Sequence, residues 1–229
     1  MTIDPRQLPL DRAFDDPRVR GEPLALQQLT PAALRRRFSN HRPWVPELQS
    51  DVLLRPDSAE PLKPAAVLIP LIRHDDRVGV LLTQRAGHLH DHAGQISFPG
   101  GRIEPTDPGP VEAALREAAE ETGIGVAQME LLGTLPIYRT VTRFEVTPVV
   151  GMIAGPVSVK LDASEVEDAF EVPLPFLMDP GNQQRRIASA GGQQRFVYTI
   201  PYHDGSRERM IWGVTAAIVR NLYAYLRAD

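Results

Sequence analysis

The chain has 229 residues and no cysteine, which excludes disulfides, thiolate metal centres, iron–sulfur clusters and cysteine nucleophiles. Hydrophobic residues make up 42% and charged residues 24%, the balance of a folded globular protein rather than a disordered, coiled-coil or collagen-like chain. With 25 basic and 29 acidic residues the net charge is −4, so no broad cationic surface for nucleic acid is expected.

The longest apolar run, residues 64–72, is far shorter than the ~20 residues of a membrane-spanning helix. The first residues, MTIDPRQLPLDRAF, alternate charged and apolar side chains and lack the apolar core of a signal peptide. A soluble cytoplasmic protein without membrane or nucleic-acid partners is expected. The 22 prolines, near twice the usual share of about 5%, are spread along the chain and predict many stiff loops.

Residues 1–60 hold few aliphatic runs and read as a partly irregular extension laid over a core domain of residues 61–229. One helix is expected there, with Thr30 as N-cap, Pro31 at the first helical position and residues 32–38 following. Residues 65–72 and 78–83 are short aliphatic runs split by His74-Asp75-Asp76, the pattern of a hairpin. Residues 87–97 show no period and read as a loop. Residues 110–122 are the clearest helix, with Pro110 suiting its first turn and Gly123 its C-terminal stop. Strands are expected at 130–138 and 144–153, a short helix at 164–170, strands at 195–202 and 210–212, and a closing amphipathic helix at 214–226. This order implies a mixed α/β layered domain. Core candidates are Val67, Leu68, Ile69, Leu71, Val80, Leu82, Leu115, Ala118, Val149 and Ile218.

The helix at 110–122 carries the chemistry. Val111, Ala114, Leu115, Ala118 and Thr122 form a narrow packing stripe, and Glu117, Glu120 and Glu121 gather on another arc. Like charges at i, i+3 and i+4 repel, and a hard divalent cation with its appetite for oxygen ligands would relieve them. An acidic helix face is as a rule merely solvated, but the neighbours argue against that here. Arg116 has a fork that can hold a carboxylate or a loop carbonyl, and Gly100-Gly101 would let backbone approach the acids closely. His88, His90 and His92 alternate as if to clip a zinc ion, yet the surrounding glycines and missing cysteines favour a polar loop beside the site.

Residues 101–124 resemble the Nudix box. Gly101 is followed by Asp107 at the first acidic place, then by Arg116-Glu117-Ala118-Ala119-Glu120-Glu121-Thr122-Gly123-Ile124. Two features depart from the box: an aspartate for its first glutamate, and one extra residue before Arg116. Upstream, Leu81-Leu82-Thr83-Gln84-Arg85-Ala86 and Gly94-Gln95-Ile96-Ser97-Phe98-Pro99-Gly100-Gly101 are similar to the additional motif of the coenzyme A pyrophosphatase branch. His90 stands where that branch has arginine, and a histidine cannot form the two parallel bonds of an arginine fork. The stretches Glu165-Val166, Phe170-Glu171-Val172-Pro173-Leu174 and Ile211-Trp212-Gly213-Val214-Thr215-Ala216 are similar to the same branch.

The resemblance implies a Nudix α/β/α sandwich, a mixed sheet between helices. It implies a hydrolase that directs water at a pyrophosphate link with Mg²⁺ or Mn²⁺ held by Glu117, Glu120 and Glu121. Arg116 and Glu117 belong to the catalytic group, and Glu120 or Glu165 is the expected base. Glu165 also reads as an N-terminal helix acid behind Ser164. Arg85, His90, Gly100 and Gly101 are the expected substrate contacts. For coenzyme A the products are 3′,5′-adenosine diphosphate and phosphopantetheine. The alternatives are a pyrophosphatase for ADP-ribose, NADH or another nucleoside diphosphate derivative, or a non-catalytic ligand sensor. Homodimers are common in this family, and the extension could serve one.

Overall fold

The computed structural model describes residues 4–40, 42–50, 61–89, 92–190, 193–205 and 207–228. In chain order the elements are α1 (Pro17–Arg20), α2 (Pro31–Ser39), β1 (Lys63–Arg73), β2 (Val78–Arg85), β3 (Ile96–Ser97), β4 (Gly100–Arg102), α3 (Pro110–Thr122), β5 (Glu130–Thr134), β6 (Tyr138–Arg139), β7 (Phe144–Ala154), β8 (Val166–Pro173), α4 (Leu174–Leu177), β9 (Gln184–Ala190), β10 (Gln193–Asp204), β11 (Arg207–Trp212) and α5 (Val214–Arg227). Among the described residues eight strands form a mixed sheet ordered β3-β2-β1-β7-β5, with β4 added on β1, β6 on β7 and β8 on β2. A smaller antiparallel sheet runs β11-β10-β9.

β1 is the axis of the fold. It runs parallel to β7 along its whole length, from Lys63 beside Phe144 to Arg73 beside Ala154. Its period-2 alternation divides the core in two. Ala66, Leu68 and Ile72 face α3 and pack with Ala113, Ala114 and Ala118. Ala65, Ile69 and Leu71 face the other way, into a larger cluster with Leu34 and Phe38 of α2 and Ile218 and Leu222 of α5. A mixed sheet between helices is the expected α/β/α sandwich. Val67 and Leu115, expected inside, are only partly buried and pack against these clusters.

Local signals hold where they are strong. The Thr30 hydroxyl accepts from the Ala33 N–H at 3.3 Å, Pro31 opens α2, and Leu34 and Phe38 are buried one turn apart. Each of those side chains contributes about 1.5–3 kcal/mol by leaving water. β1 and β2 form the expected hairpin, closed by His74 N–H donating to the Arg77 carbonyl at 2.9 Å. α3 begins at Pro110 and stops at Gly123, whose φ of 66° is left-handed and whose N–H caps the Ala119 carbonyl.

Other expectations are corrected. Residues 164–170 form no helix: Asp162 accepts from both the N–H and the hydroxyl of Ser164 in a turn, and β8 then pairs with β2. Val166 and Phe170 lie four apart, a spacing that puts both on one face of a helix or of a strand alike. The run at 130–138 breaks into β5 and β6 because Pro136, lacking an N–H, cannot continue the ladder. The loop at 87–97 ends in the short strand β3, and the polar strand β9 had no sequence signal. α5 is buried from Thr215 to Leu226 rather than amphipathic towards water. Two of its polar residues meet the N-terminal segment instead: Arg220 binds Glu47, and Asn221 exchanges hydrogen bonds with the Leu48 backbone. The expected boundary between extension and core domain lies outside the described residues. No described helix is long and apolar enough to cross a membrane.

Candidate active site

The site forms where α3 crosses β4. Gly100 and Gly101 pair with Val67 and Ala66 of β1, so their backbone is held rigidly under the helix. The Gly100 N–H donates to Glu121 Oε2 at 3.3 Å. Gly101 makes room for Glu117, whose carboxyl would lie 2.5 Å from any Cβ added there. Two carboxylates one helical turn apart therefore flank a glycine pair. The burial of α3 accounts for this. Ala113, Ala114, Ala118, Glu121 and Thr122 are its buried residues, an arc turned roughly 60° from the expected stripe. That rotation brings Glu121 inside and leaves Glu120 outside.

Electrostatics separate the three acids. Glu121 is 4% exposed, and burial pushes its carboxyl up to about 8, with the Glu117 and Glu165 charges adding to the rise and Arg85 opposing it. Burial also raises Glu117, against the pull of Arg116. Glu120 is 59% exposed and bonded to Arg116 Nη1 at 2.9 Å. Arg116 holds both kinds of partner that its fork allows. It donates to Glu117 at 3.0 Å, to the Arg102 carbonyl at 3.2 Å and to both oxygens of Asp107 at 3.0 Å. Asp107 thus reaches Arg116 in a two-pronged pair despite the extra residue between them. The pairing holds the Asp107 carboxyl below its ordinary range.

Arg85 sits at the end of β2, where the register with β8 shifts. It is half-buried and makes no side-chain ion pair among the described residues. Glu165 is exposed in the turn before β8, and its carbonyl accepts from the Ala86 N–H at 2.8 Å. Arg85, Glu165, Glu117, Gly100 and Gly101 line one open, polar cavity of about 730 Å³. His92 joins them, with a φ of 59° that breaks the extended run needed for three aligned imidazoles. His88 is exposed, and His90 lies outside the described residues. Lys63, Arg102 and Phe144 also line the cavity and were not singled out, because only strand pairing brings them there. A separate hollow of about 600 Å³, between α2 and the β1–β2 turn, shares no residue with it.

Among the described residues no three acidic or histidine side chains converge as a ready-made metal cage. The donors still suit a hard cation. Mg²⁺ takes one or two protein carboxylates and fills its remaining places with water and substrate phosphates. Glu121 is a buried carboxyl without a hydrogen-bonded counter-charge, the kind of group a cation stabilises.

The glycines give a prediction. In Gly101→Ala the atoms nearest the new methyl are those of the Glu117 carboxyl, the far end of a flexible side chain, so the protein should fold normally while the carboxyl is displaced and kcat falls roughly a hundredfold. In Gly100→Ala the methyl meets the Ala66 carbonyl and Val67 Cα at a φ of 156°, and about 1–3 kcal/mol of stability should go as well. Steady-state kinetics with thermal melts separates the two. Wild-type activity in Gly101→Ala would mean that the seat of Glu117 is not used.

The NUDIX domain family matches residues 62–177. A Shigella flexneri protein named uncharacterized Nudix hydrolase NudL is 41% identical over 173 residues, covering 74% of this chain and 88% of the relative. The Escherichia coli K12 protein of the same name is 40% identical over the same shares. Among solved structures, the Nudix hydrolase RenU from M. smegmatis is similar at 22% identity and a TM-score of 0.43, over 50% of this chain and 73% of that one. The chain therefore belongs to the Nudix hydrolases, pyrophosphohydrolases that use divalent cations and act on nucleoside diphosphate substrates.

Proposed function

We propose that this chain cleaves the pyrophosphate bond of coenzyme A or its acyl derivatives, releasing 3′,5′-adenosine diphosphate and the (acyl)phosphopantetheine. The observation that carries this reading is the run from Leu81 to Gly101, which is similar to the coenzyme A branch and whose Arg85, Gly100 and Gly101 line the cavity. Glu117 and Glu121, one helical turn apart, would hold Mg²⁺ or Mn²⁺, and Glu120 completes the acidic set. The cation, when bound, neutralises the diphosphate oxygens and lowers the pKa of water. The chain's own groups do the rest. Glu165 accepts the proton of the attacking water, supported by its position in the cavity and by its charge acting on Glu117 and Glu121. Glu120 is the weaker choice of base because Arg116 already holds it. Arg85, without a carboxylate partner among the described residues, binds a diphosphate oxygen. Arg116 is a positioning residue that keeps Glu117 in place, and Gly100 and Gly101 let the substrate come close to the backbone.

The test is a substrate panel with Mg²⁺ or Mn²⁺: coenzyme A, acetyl-coenzyme A, ADP-ribose, NADH and a nucleoside triphosphate, with products resolved by chromatography. Preferred cleavage of the coenzyme A compounds is expected. Preference for ADP-ribose or NADH would keep the mechanism and overturn the substrate, and a cation-bound protein that cleaves nothing would point to a ligand sensor.

A further inference from the structure

The cavity extends beyond the acids. Its second end is built by strand register. Lys63 of β1 pairs with Phe144 of β7, and Ala65 pairs with Arg102 of β4. Residues in register point to the same face, and Lys63 and Ala65, two apart, share it as well. Lys63, Arg102 and Phe144 thus stand together on the cavity wall where β1 lies between β4 and β7, whereas Arg85 and Glu165 enter from the end of β2 and the turn before β8.

Their chemistry differs from that of the acidic end. Lys63 and Arg102 are exposed, and neither makes an ion pair among the described residues. Glu104, an acid on the same wall, pairs with neither. The Arg102 guanidinium carbon lies 5.6 Å from the centre of the half-buried Phe144 ring. Two uncompensated cations around an aromatic face suit a ligand with a flat base and a phosphate. The ring accepts the base by stacking, and the arginine fork and lysine take the doubly charged monoester.

We propose that Lys63, Arg102 and Phe144 form a specificity subsite for a phosphorylated nucleoside, with the base on Phe144 and a phosphate monoester, separate from the scissile diphosphate, held by Lys63 and Arg102. The proposal rests on the coenzyme A reading, because that substrate carries such a phosphate on its adenosine. ADP-ribose and NADH carry none.

The experiment compares kcat/KM for coenzyme A and for 3′-dephospho-coenzyme A in the wild type, Lys63→Ala, Arg102→Ala and Lys63→Arg. The wild type should favour coenzyme A at least tenfold. Each alanine variant should bring the ratio towards one, through a higher KM for coenzyme A with kcat little changed, and Lys63→Arg should restore most of it. If the alanine variants keep the wild-type ratio, or the wild type cleaves both compounds equally, the subsite is overturned and the coenzyme A reading stands. If the wild type cleaves ADP-ribose or NADH and neither coenzyme A compound, both fall together.

Discussion

Glu121→Gln should abolish turnover while leaving a protein that, without divalent cation, melts no lower than the wild type. The side chain is nearly isosteric and can still accept from the Gly100 N–H, so the geometry under α3 is kept. What disappears is a charge that burial already disfavours. Loss of activity should exceed the roughly 10–100-fold that removing an outer-shell partner of a metal site costs. The two effects separate in one calorimetric series. Mg²⁺ or Mn²⁺ should raise the melting temperature of the wild type, since a ligand that binds only the folded state stabilises it. The variant should show little of that rise. Near wild-type activity in a well-folded Glu121→Gln protein would sink the assignment of Glu121 as a metal ligand.

Glu47→Ala should be strongly destabilising although it lies outside the site. Arg220, 1% exposed in the middle of α5, donates to Glu47 at 2.6 and 3.0 Å and to Gln183 at 3.3 Å, and packs on the Phe14 and Tyr223 rings. Truncating Glu47 leaves a buried guanidinium without its carboxylate, a loss of about 3–5 kcal/mol. For a chain of this length that lowers the melting temperature by roughly 6–20 °C. Adding Arg220→Met should recover most of the loss, because an apolar side chain does not require the partner. A Glu47→Ala protein that melts within about 2 °C of wild type would show that water serves Arg220 as well as Glu47 does.

The pair also shows why one segment could be read and its environment could not. α5 was legible as an amphipathic helix from residues 214–226, and its polar side holds Arg220 and Asn221. Whether that side meets water or another part of the chain depends on Glu47 and Leu48, 173 residues away in sequence. In the same way α3 was read correctly in type and extent from Pro110 and Gly123. Its three glutamates were gathered by helical spacing, and only the packing of Ala113 and Ala114 on β1 separated buried Glu121 from exposed Glu120. Glu165 was singled out by its motif, but the helix expected behind it was a strand. The spacing of Val166 and Phe170 fits both, and the pairing partner β2 made the choice.

Features carried by contiguous residues were therefore available from the chain alone: the capped helices, the β1–β2 hairpin, and the Arg116–Ile124 run that names the reaction class. Each rests on short-range geometry, such as a proline without an N–H, a glycine in the left-handed region, or residues one turn apart. The tertiary structure decided which acids are buried, what covers α5 and which cations share the cavity. Those outcomes come from strand register and helix rotation. Both are set by burying apolar surface between segments far apart in sequence, so no local window contains them.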